Sequence, residues 1–137
     1  MTNKINQDLI SSLINNNDKV LDIGCGNGEL LYFLEKTKNI QGQGIEISHL
    51  GVKESVTKGL SVIQGDADED LVSFTNNTFD VVILSDTLQA THKPKEVLKE
   101  MLRIGKKCII CIPNFGYWQY RLQILFYGIM PVTETLS

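Results

Sequence analysis

The sequence is poor in cysteine, proline and tryptophan, with three, three and one of them in 137 residues. Three cysteines are an odd count that cannot all pair within one chain, which is typical of free thiols in a reducing cytosol. No run approaches the ~20 apolar residues of a membrane-spanning helix, and residues 1–8 lack the features of a secretory signal. These absences predict a soluble, cytoplasmic protein that does not associate with membranes.

A large excess of charge of one sign is also missing. The 13 basic and 16 acidic residues give a formal net charge of −3, which removes the global electrostatic argument for a nucleic-acid partner. A composition of 42% hydrophobic and 21% charged residues excludes a disordered chain. A chain of this length has the size of one ordinary domain. We therefore predict a single domain over residues 1–137.

What the sequence does contain is an alternation of short apolar runs and amphipathic segments. Predicted strands span residues 20–23, 43–47, 60–64, 79–84 and 108–112, and predicted helices span 5–14, 28–34, 50–58, 94–105 and 115–127. Strands that are apolar on both faces and alternate with helices predict a doubly wound α/β fold, with a mostly parallel sheet covered on both sides. Ligands of such sheets bind beyond the carboxyl ends of the strands, so the loops that follow the strands are the places to look for a site.

The first of these loops carries three glycines, Gly24, Gly26 and Gly28, which allow a tight turn and let a ligand contact bare backbone. It is neither a dinucleotide loop, because Glu29 replaces the third glycine of G-x-G-x-x-G, nor a P-loop, because the lysine is missing. Asp22 and Glu29 place carboxylates where a pyrophosphate would be repelled. The loop therefore suits a cationic, phosphate-free ligand such as S-adenosylmethionine (SAM). A turn that only packs a strand on a helix is the alternative.

Acidic residues follow the next two predicted strands. Glu46 is placed to accept hydrogen bonds from ribose hydroxyls. Asp66 is placed to accept from an adenine amino group, while Ala67 offers its backbone N–H to the ring. The acidic run over residues 66–70 lacks the ligand spacing of a calcium loop. We predict no metal there and interpret the run as a solvated helix start, with a divalent cation as the alternative.

The loop after the fourth strand is polar, and Ser85 is predicted to border the transferred methyl group. His92 has two interpretations, a general base or a surface histidine ahead of a proline-capped helix, and the second is favoured. Cys25 is interpreted as a packing residue because no histidine stands nearby in the sequence to activate it. Cys108 and Cys111 are predicted to be core thiols, because strand residues three apart point to opposite faces.

A basic stripe follows the same loop. Its members are Lys93, Lys95, Lys99, Arg103, Lys106 and Lys107. Such a stripe is most often a solvated helix face, and docking on an acidic partner is the alternative.

Four segments together, VLDIGCGNGE, GIEIS, VIQGDAD and FDVVIL, resemble the class I SAM-dependent methyltransferases. A narrower resemblance, to the MetW-like methionine-biosynthesis proteins, covers residues 18–133 and rests on SDTLQAT, IPNFGYW and RLQILFYGIMPVT. It implies a Rossmann-like sheet of strand order 3-2-1-4-5. Class I members usually add two last strands as an antiparallel pair. Only five strands are predicted here, so we expect the last two to be absent, the chain being either a fragment or a minimal protein.

The resemblance also implies a function and a site. It implies a SAM-dependent methyltransferase of methionine biosynthesis, with S-adenosylhomocysteine as product, or a non-catalytic SAM-sensing subunit of homoserine O-acetyltransferase. The glycine loop would surround the methionine part of SAM, Glu46 the ribose, Asp66 and Ala67 the adenine, and Ser85 the far wall. Asp86 departs from the glutamine typical of the family, and no catalytic residue is identified. The implied cofactor-binding residues are Asp22, Gly24, Cys25, Gly26, Asn27, Gly28, Glu46, Ile47, Asp66, Ala67 and Ser85.

Overall fold

A computed structural model of the chain describes residues 4–84, 91–113, 120–126 and 132–134. The strands are β1 (Lys19–Ile23), β2 (Gln41–Glu46), β3 (Val62–Gln64), β4 (Phe79–Leu84), β5 (Gly105–Pro113), β6 (Tyr120–Phe126) and β7 (Val132–Glu134). The helices are α1 (Lys4–Ser12), α2 (Glu29–Lys38), α3 (His49–Thr57), α4 (Ala67–Asp70) and α5 (Pro94–Ile104), and a 3₁₀ turn (Leu71–Ser73) follows α4. None of the helices in these ranges is long and apolar enough to cross a bilayer.

All seven strands form one sheet, in the order β3-β2-β1-β4-β5-β6-β7. The first five are parallel and confirm the predicted doubly wound order 3-2-1-4-5. β1 lies between β2 and β4, so that Val20 pairs with both Gly42 and Val81. This arrangement brings the carboxyl ends of β1, β2, β3 and β4 to one edge of the sheet, where ligands of such folds bind.

Each face of the sheet buries its own apolar cluster. On one face, α1, α2 and Val52 of α3 cover alternate strand residues such as Val20 and Val81. On the other face, the 3₁₀ turn and α5 cover the intervening residues, among them Leu21 and Val82. Because successive strand residues point to opposite faces, a strand buried on both faces needs an unbroken apolar run. The run FDVVIL of β4 meets that requirement.

The C-terminal part of the sequence prediction is wrong. The segment predicted as a helix over residues 115–127 contains β6, which pairs antiparallel with β5 from Lys107↔Phe126 to Pro113↔Tyr120. β7 in turn pairs antiparallel with β6, so the two strands expected to be absent are present. Apolar residues in this segment fit both a helical and an alternating period. The long edge of β5, which offers hydrogen bonds along seven residue pairs, decides between them.

Two cations of the predicted solvated stripe have structural roles instead. Arg103 donates from Nη1 to the carbonyl oxygen of Phe74 at 2.7 Å and from Nη2 to that of Leu71 at 3.1 Å. Lys107 donates from Nζ to the carbonyl oxygen of Leu13 at 2.7 Å, across 94 positions of the sequence. A long side chain that reaches a backbone carbonyl joins elements that share no strand pairing. For these two residues the interpretation as a solvated face is therefore wrong.

Candidate functional site

A cleft opens at the edge of the sheet where the first four strands end. Five of its lining residues belong to the predicted site, namely Gly24, Glu46, Ile47, Asp66 and Ala67. The other described residues of the lining are Ile23, Ile45, Gly65, Asp68, Leu84 and Thr91. The three loops that follow β1, β2 and β3 thus meet at one place, as the parallel topology requires. Ser85 and Asp86 lie outside the described residues.

Glu46 ends β2 and is 7% exposed. Its Oε1 accepts the backbone N–H of Gly26 at 2.8 Å, and its Oε2 accepts that of Ser48 at 2.9 Å. A carboxylate has about four acceptor positions, so two backbone donors do not use up its capacity. Glu46 therefore holds the glycine loop in place and still presents acceptors toward the cleft.

The glycine loop has a left-handed backbone at Gly26 and Gly28, with φ of 58° and 85°. Among the described residues other than its two neighbours in the chain, none has a heavy atom within 4 Å of the position that a Cβ would take at Gly26, so this residue borders open space. At Gly28, by contrast, a Cβ would meet Leu60 Cδ1 and would lie 2.8 Å from Ser55 Oγ. Ser55, which is fully buried, also donates to the carbonyl oxygen of Gly26 at 3.1 Å. The loop is therefore packed against Leu60 and Ser55 at Gly28, whereas at Gly26 it borders open space.

The remaining predicted residues of this loop lie outside the described lining of the cleft. Asp22 is buried within β1. Asn27 accepts the Glu29 N–H through Oδ1 at 3.2 Å and the Lys58 ammonium through its carbonyl oxygen at 2.7 Å. The first contact lies at the end of the loop, and the second joins the loop to the end of α3.

Two of the thiols are buried. Burial, reinforced by the charges of Asp22 and Glu46, raises the pKa of Cys25 to about 12. Burial alone raises the pKa of Cys108 to about 12. A thiol with such a pKa is protonated at neutral pH and is not a nucleophile. The packing role predicted for both residues is confirmed, and the side chain of Cys111 lies outside what the structure describes.

The acidic run after β3 forms a helix start, as predicted. Asp66 caps α4 by accepting the N–H of Asp68 through Oδ1 at 2.9 Å. Asp70 in turn accepts the N–H of Asp66 through Oδ2 at 2.6 Å. These reciprocal bonds fix the turn that carries Ala67 along the cleft. Within the described ranges, no group of three or more His, Cys, Asp or Glu side chains is placed to hold a metal ion.

Asp68 is the residue that sequence reasoning missed. Its carboxylate accepts the backbone N–H groups of His92 and Lys93, both at 2.9 Å, at the entry to α5. These bonds, that of His92 first, hold the pKa of Asp68 below its ordinary value. The side chain of His92 is exposed, in agreement with the surface interpretation. No local pattern marks Asp68, because its partners stand 24 and 25 positions away.

Comparison with known proteins decides the family. The model for the family described as methionine biosynthesis protein MetW matches residues 4–137. The chain belongs to the MetW family. It is 34% identical over 139 residues to the bifunctional methionine biosynthesis protein MetXA/MetW of Rhodopirellula baltica, an alignment that covers 96% of this chain and 22% of that protein. The chain spans about a fifth of the length of the curated relatives it matches.

Solved structures show the same fold at lower identity. A TehB-like SAM-dependent methyltransferase from Corynebacterium glutamicum is 21% identical with a TM-score of 0.68, over 82% of this chain and 64% of that one. A SAM-dependent methyltransferase from Geobacter sulfurreducens, in complex with S-adenosylhomocysteine, is 20% identical with a TM-score of 0.67, over 85% of this chain and 51% of that one. These likenesses establish a methyltransferase-like fold for this member of the MetW family.

Proposed function

We propose that the cleft binds S-adenosylmethionine and that the chain is a SAM-dependent methyltransferase unit of methionine biosynthesis. The observation that carries this proposal is the position of Glu46. Its buried carboxylate is bonded to the glycine loop at Gly26 and stands beside Ile47, which is 66% exposed. A ribose needs a fixed carboxylate acceptor, and an adenine ring needs an apolar surface at its side. Both features occur here in consecutive residues.

The charge of the cleft favours SAM over a dinucleotide. Among the described lining residues there are three carboxylates, Glu46, Asp66 and Asp68, and no basic side chain. A pyrophosphate in such surroundings would meet like charges without a compensating cation. SAM carries a sulfonium and an ammonium and has no phosphate, so the same carboxylates attract it.

The open space at Gly26 leaves room for SAM beside the glycine loop. A ligand can approach the backbone there without displacing a side chain, since nothing lies within 4 Å of the Cβ position. We assign Asp22 and the glycine loop to the methionine part, Glu46 to the ribose, and Asp66, Ala67 and Ile47 to the adenine. The S-adenosylhomocysteine in the similar G. sulfurreducens structure supports SAM as the ligand, and the assignment of residues to its parts rests on the geometry of the cleft.

When bound, SAM supplies a methyl group that leaves its sulfonium as an acceptor atom attacks in line, and S-adenosylhomocysteine remains. The chain's own contribution to such a step is to orient the ligand and exclude water. Among the described residues, those that line the cleft are assigned to SAM, and none is assigned to an acceptor.

A second candidate function is a SAM-sensing subunit of homoserine O-acetyltransferase. The R. baltica relative favours it, because its name joins MetXA and MetW in one bifunctional protein. In that case SAM binding would change the activity of the partner through a difference in affinity between two states.

Calorimetry tests the binding proposal. We expect SAM and S-adenosylhomocysteine to bind, and NAD not to bind. Binding of NAD without a SAM signal would overturn the cofactor assignment. Turnover is then tested by following S-adenosylhomocysteine formation from bound SAM as methionine-pathway metabolites are added.

Co-purification separates the two functions. A complex with homoserine O-acetyltransferase whose acetylation rate responds to SAM supports the sensing subunit. Formation of S-adenosylhomocysteine by the chain alone supports the methyltransferase.

A further inference from the structure

The connection that enters α5 is fixed by a carboxylate from another element. Asp68, in α4, accepts the N–H of His92 through Oδ2 and that of Lys93 through Oδ1, each at 2.9 Å. Hydrogen bonds in which the acceptor is ionised are roughly twice as strong as neutral ones. The carboxylate of Asp68 is ionised at neutral pH, and the two bonds, that of His92 first, hold its pKa below the ordinary value.

Asp68 is also bonded to the turn after β3, which lines the cleft. The N–H of Asp68 donates to Asp66 Oδ1 at 2.9 Å, so Asp68 stands between the turn after β3 and the start of α5. Asp68 and Thr91 both line the cleft, together with Ala67. Thr91 directly precedes His92. A shift of the Asp68 carboxylate would therefore move Thr91 relative to Ala67 in the lining of the cleft.

A second contact between these two elements, an ion pair, is weaker than the bonds of Asp68. Lys93 Nζ lies 3.5 Å from Glu69 Oε1, and the side chains are 54% and 67% exposed. Exposed ion pairs of this kind contribute little to stability. Within the described residues, Asp68 supplies the stronger attachment of α5 to α4.

We propose that Asp68 is a positioning residue that holds Thr91 at the nucleoside end of the cleft and so sets the affinity for adenosine-containing ligands. The inference rests on the proposed function, because it assumes that a nucleoside occupies this cleft. In addition to the charge that Asp68 contributes to the cleft lining, the inference gives it a role through the backbone at positions 92 and 93.

The test is calorimetric binding of S-adenosylhomocysteine and adenosine to Asp68→Asn. The asparagine keeps one acceptor oxygen but turns an NH₂ donor toward the second backbone N–H. We expect both ligands to bind at least tenfold more weakly and by a similar factor, because the affected wall faces the part they share. Glu69→Gln, which removes the same charge from the adjacent residue, is the matched control and should keep wild-type affinity.

The outcomes separate this inference from the function on which it rests. A wild-type chain that binds neither ligand overturns the proposed function, and the inference with it. A wild-type chain that binds both, with an Asp68→Asn variant that melts earlier yet binds within twofold of it, overturns the inference alone.

Should Asp68→Asn fail to fold, amide hydrogen exchange of the wild-type chain decides. Bound S-adenosylhomocysteine should slow exchange of the His92 and Lys93 amides at least tenfold, because the ligand closes the wall that Asp68 anchors. Unchanged exchange rates at these two amides would overturn the inference.

Discussion

The two walls of the cleft are built in different ways. The glycine-loop wall, which follows β1 and β2, is held by buried groups, because Glu46 and Ser55 are both buried and Gly28 packs against Leu60. The acidic wall, which follows β3 and leads into α5, is held by partly or fully exposed carboxylates on backbone N–H groups, as in the bonds of Asp66 and Asp68. One wall is part of the core, and the other lies on the surface.

This difference indicates which wall of the cleft changes its conformation when a ligand binds. Segments with few buried contacts and exposed hydrogen bonds open at low free-energy cost, whereas segments packed into a core open only with the whole fold. We therefore expect the glycine-loop wall to be preformed and the acidic wall to become ordered on binding. The four predictions below test each side of this comparison in order of decreasing effect.

Gly28→Ala should damage the preformed wall most. The added Cβ would collide with Leu60 and Ser55 at a residue whose φ is +85°, so backbone strain and overpacking add. We expect a loss of about 3 kcal/mol in the free energy of unfolding, measured by urea denaturation. Gly59→Ala is the matched control, since Gly59 has the same φ of +85° with nothing within 4 Å. Equal losses in the two variants would refute the packing argument.

Glu46→Gln should weaken SAM binding. The amide keeps one acceptor but turns a donor toward the N–H of Gly26 or Ser48, and it presents no negative charge to the ribose. We expect an affinity loss of about 2 kcal/mol, or between one and two decades, by calorimetry. Asp8→Asn neutralises an exposed carboxylate on α1 and should leave the affinity unchanged. Unaltered binding by Glu46→Gln would mean that another group holds the ribose.

Arg103→Lys should destabilise the support beneath the acidic wall. The guanidinium donates to carbonyls of Leu71 and Phe74 and also binds Glu100 Oε2 at 2.6 Å. A lysine ammonium cannot reach these acceptors together, so we expect a loss of about 2 kcal/mol in thermal or urea unfolding. Lys99→Ala, at an exposed position of the same helix, should cost far less. Similar losses of unfolding free energy in the two variants would mean that Arg103 is a solvated cation like Lys99.

The buried thiols give an effect that appears only at alkaline pH. Folding raises the pKa of Cys25 and Cys108 from an ordinary value of 9.0 to about 12. Their contribution to stability is therefore complete below pH 9 and is lost as the pH rises toward 12. Each thiol should lower the free energy of unfolding by up to about 1.4 kcal/mol per pH unit in that window. Denaturation of the wild type and of Cys108→Ala at pH 8 and pH 10.5 measures the contribution of the Cys108 thiol. An equal loss of unfolding free energy between the two pH values in both proteins would contradict the prediction.

The central sheet was accessible to sequence reasoning because each of its strands is marked locally. β4 has the predicted bounds, Phe79–Leu84, since a strand buried on both faces must be an unbroken apolar run. Glu46 was found from its position, because an acid at the carboxyl end of a strand falls at the ligand-binding edge of a parallel sheet. Local pattern and tertiary position coincide at these residues.

The parts that were missed depend on contacts between distant segments. β6 is a strand because β5 offers it an edge, and its own residues fit a helix as well. The bonds of Asp68 exist because α4 and the start of α5 meet on one face of the sheet, which no spacing within residues 66–70 reveals. Arg103 was misassigned for the same reason, since its acceptors are carbonyls of another element.

The bond between Lys107 and Leu13 bears on how the chain is made. The carbonyl of Leu13 is synthesised 94 residues before the Lys107 ammonium that donates to it at 2.7 Å. The central strand β1 likewise forms hydrogen bonds along its second edge only after β4 has been synthesised. Contacts between such distant segments form slowly, so the turn that follows α1 lacks this bond until Lys107 has been synthesised.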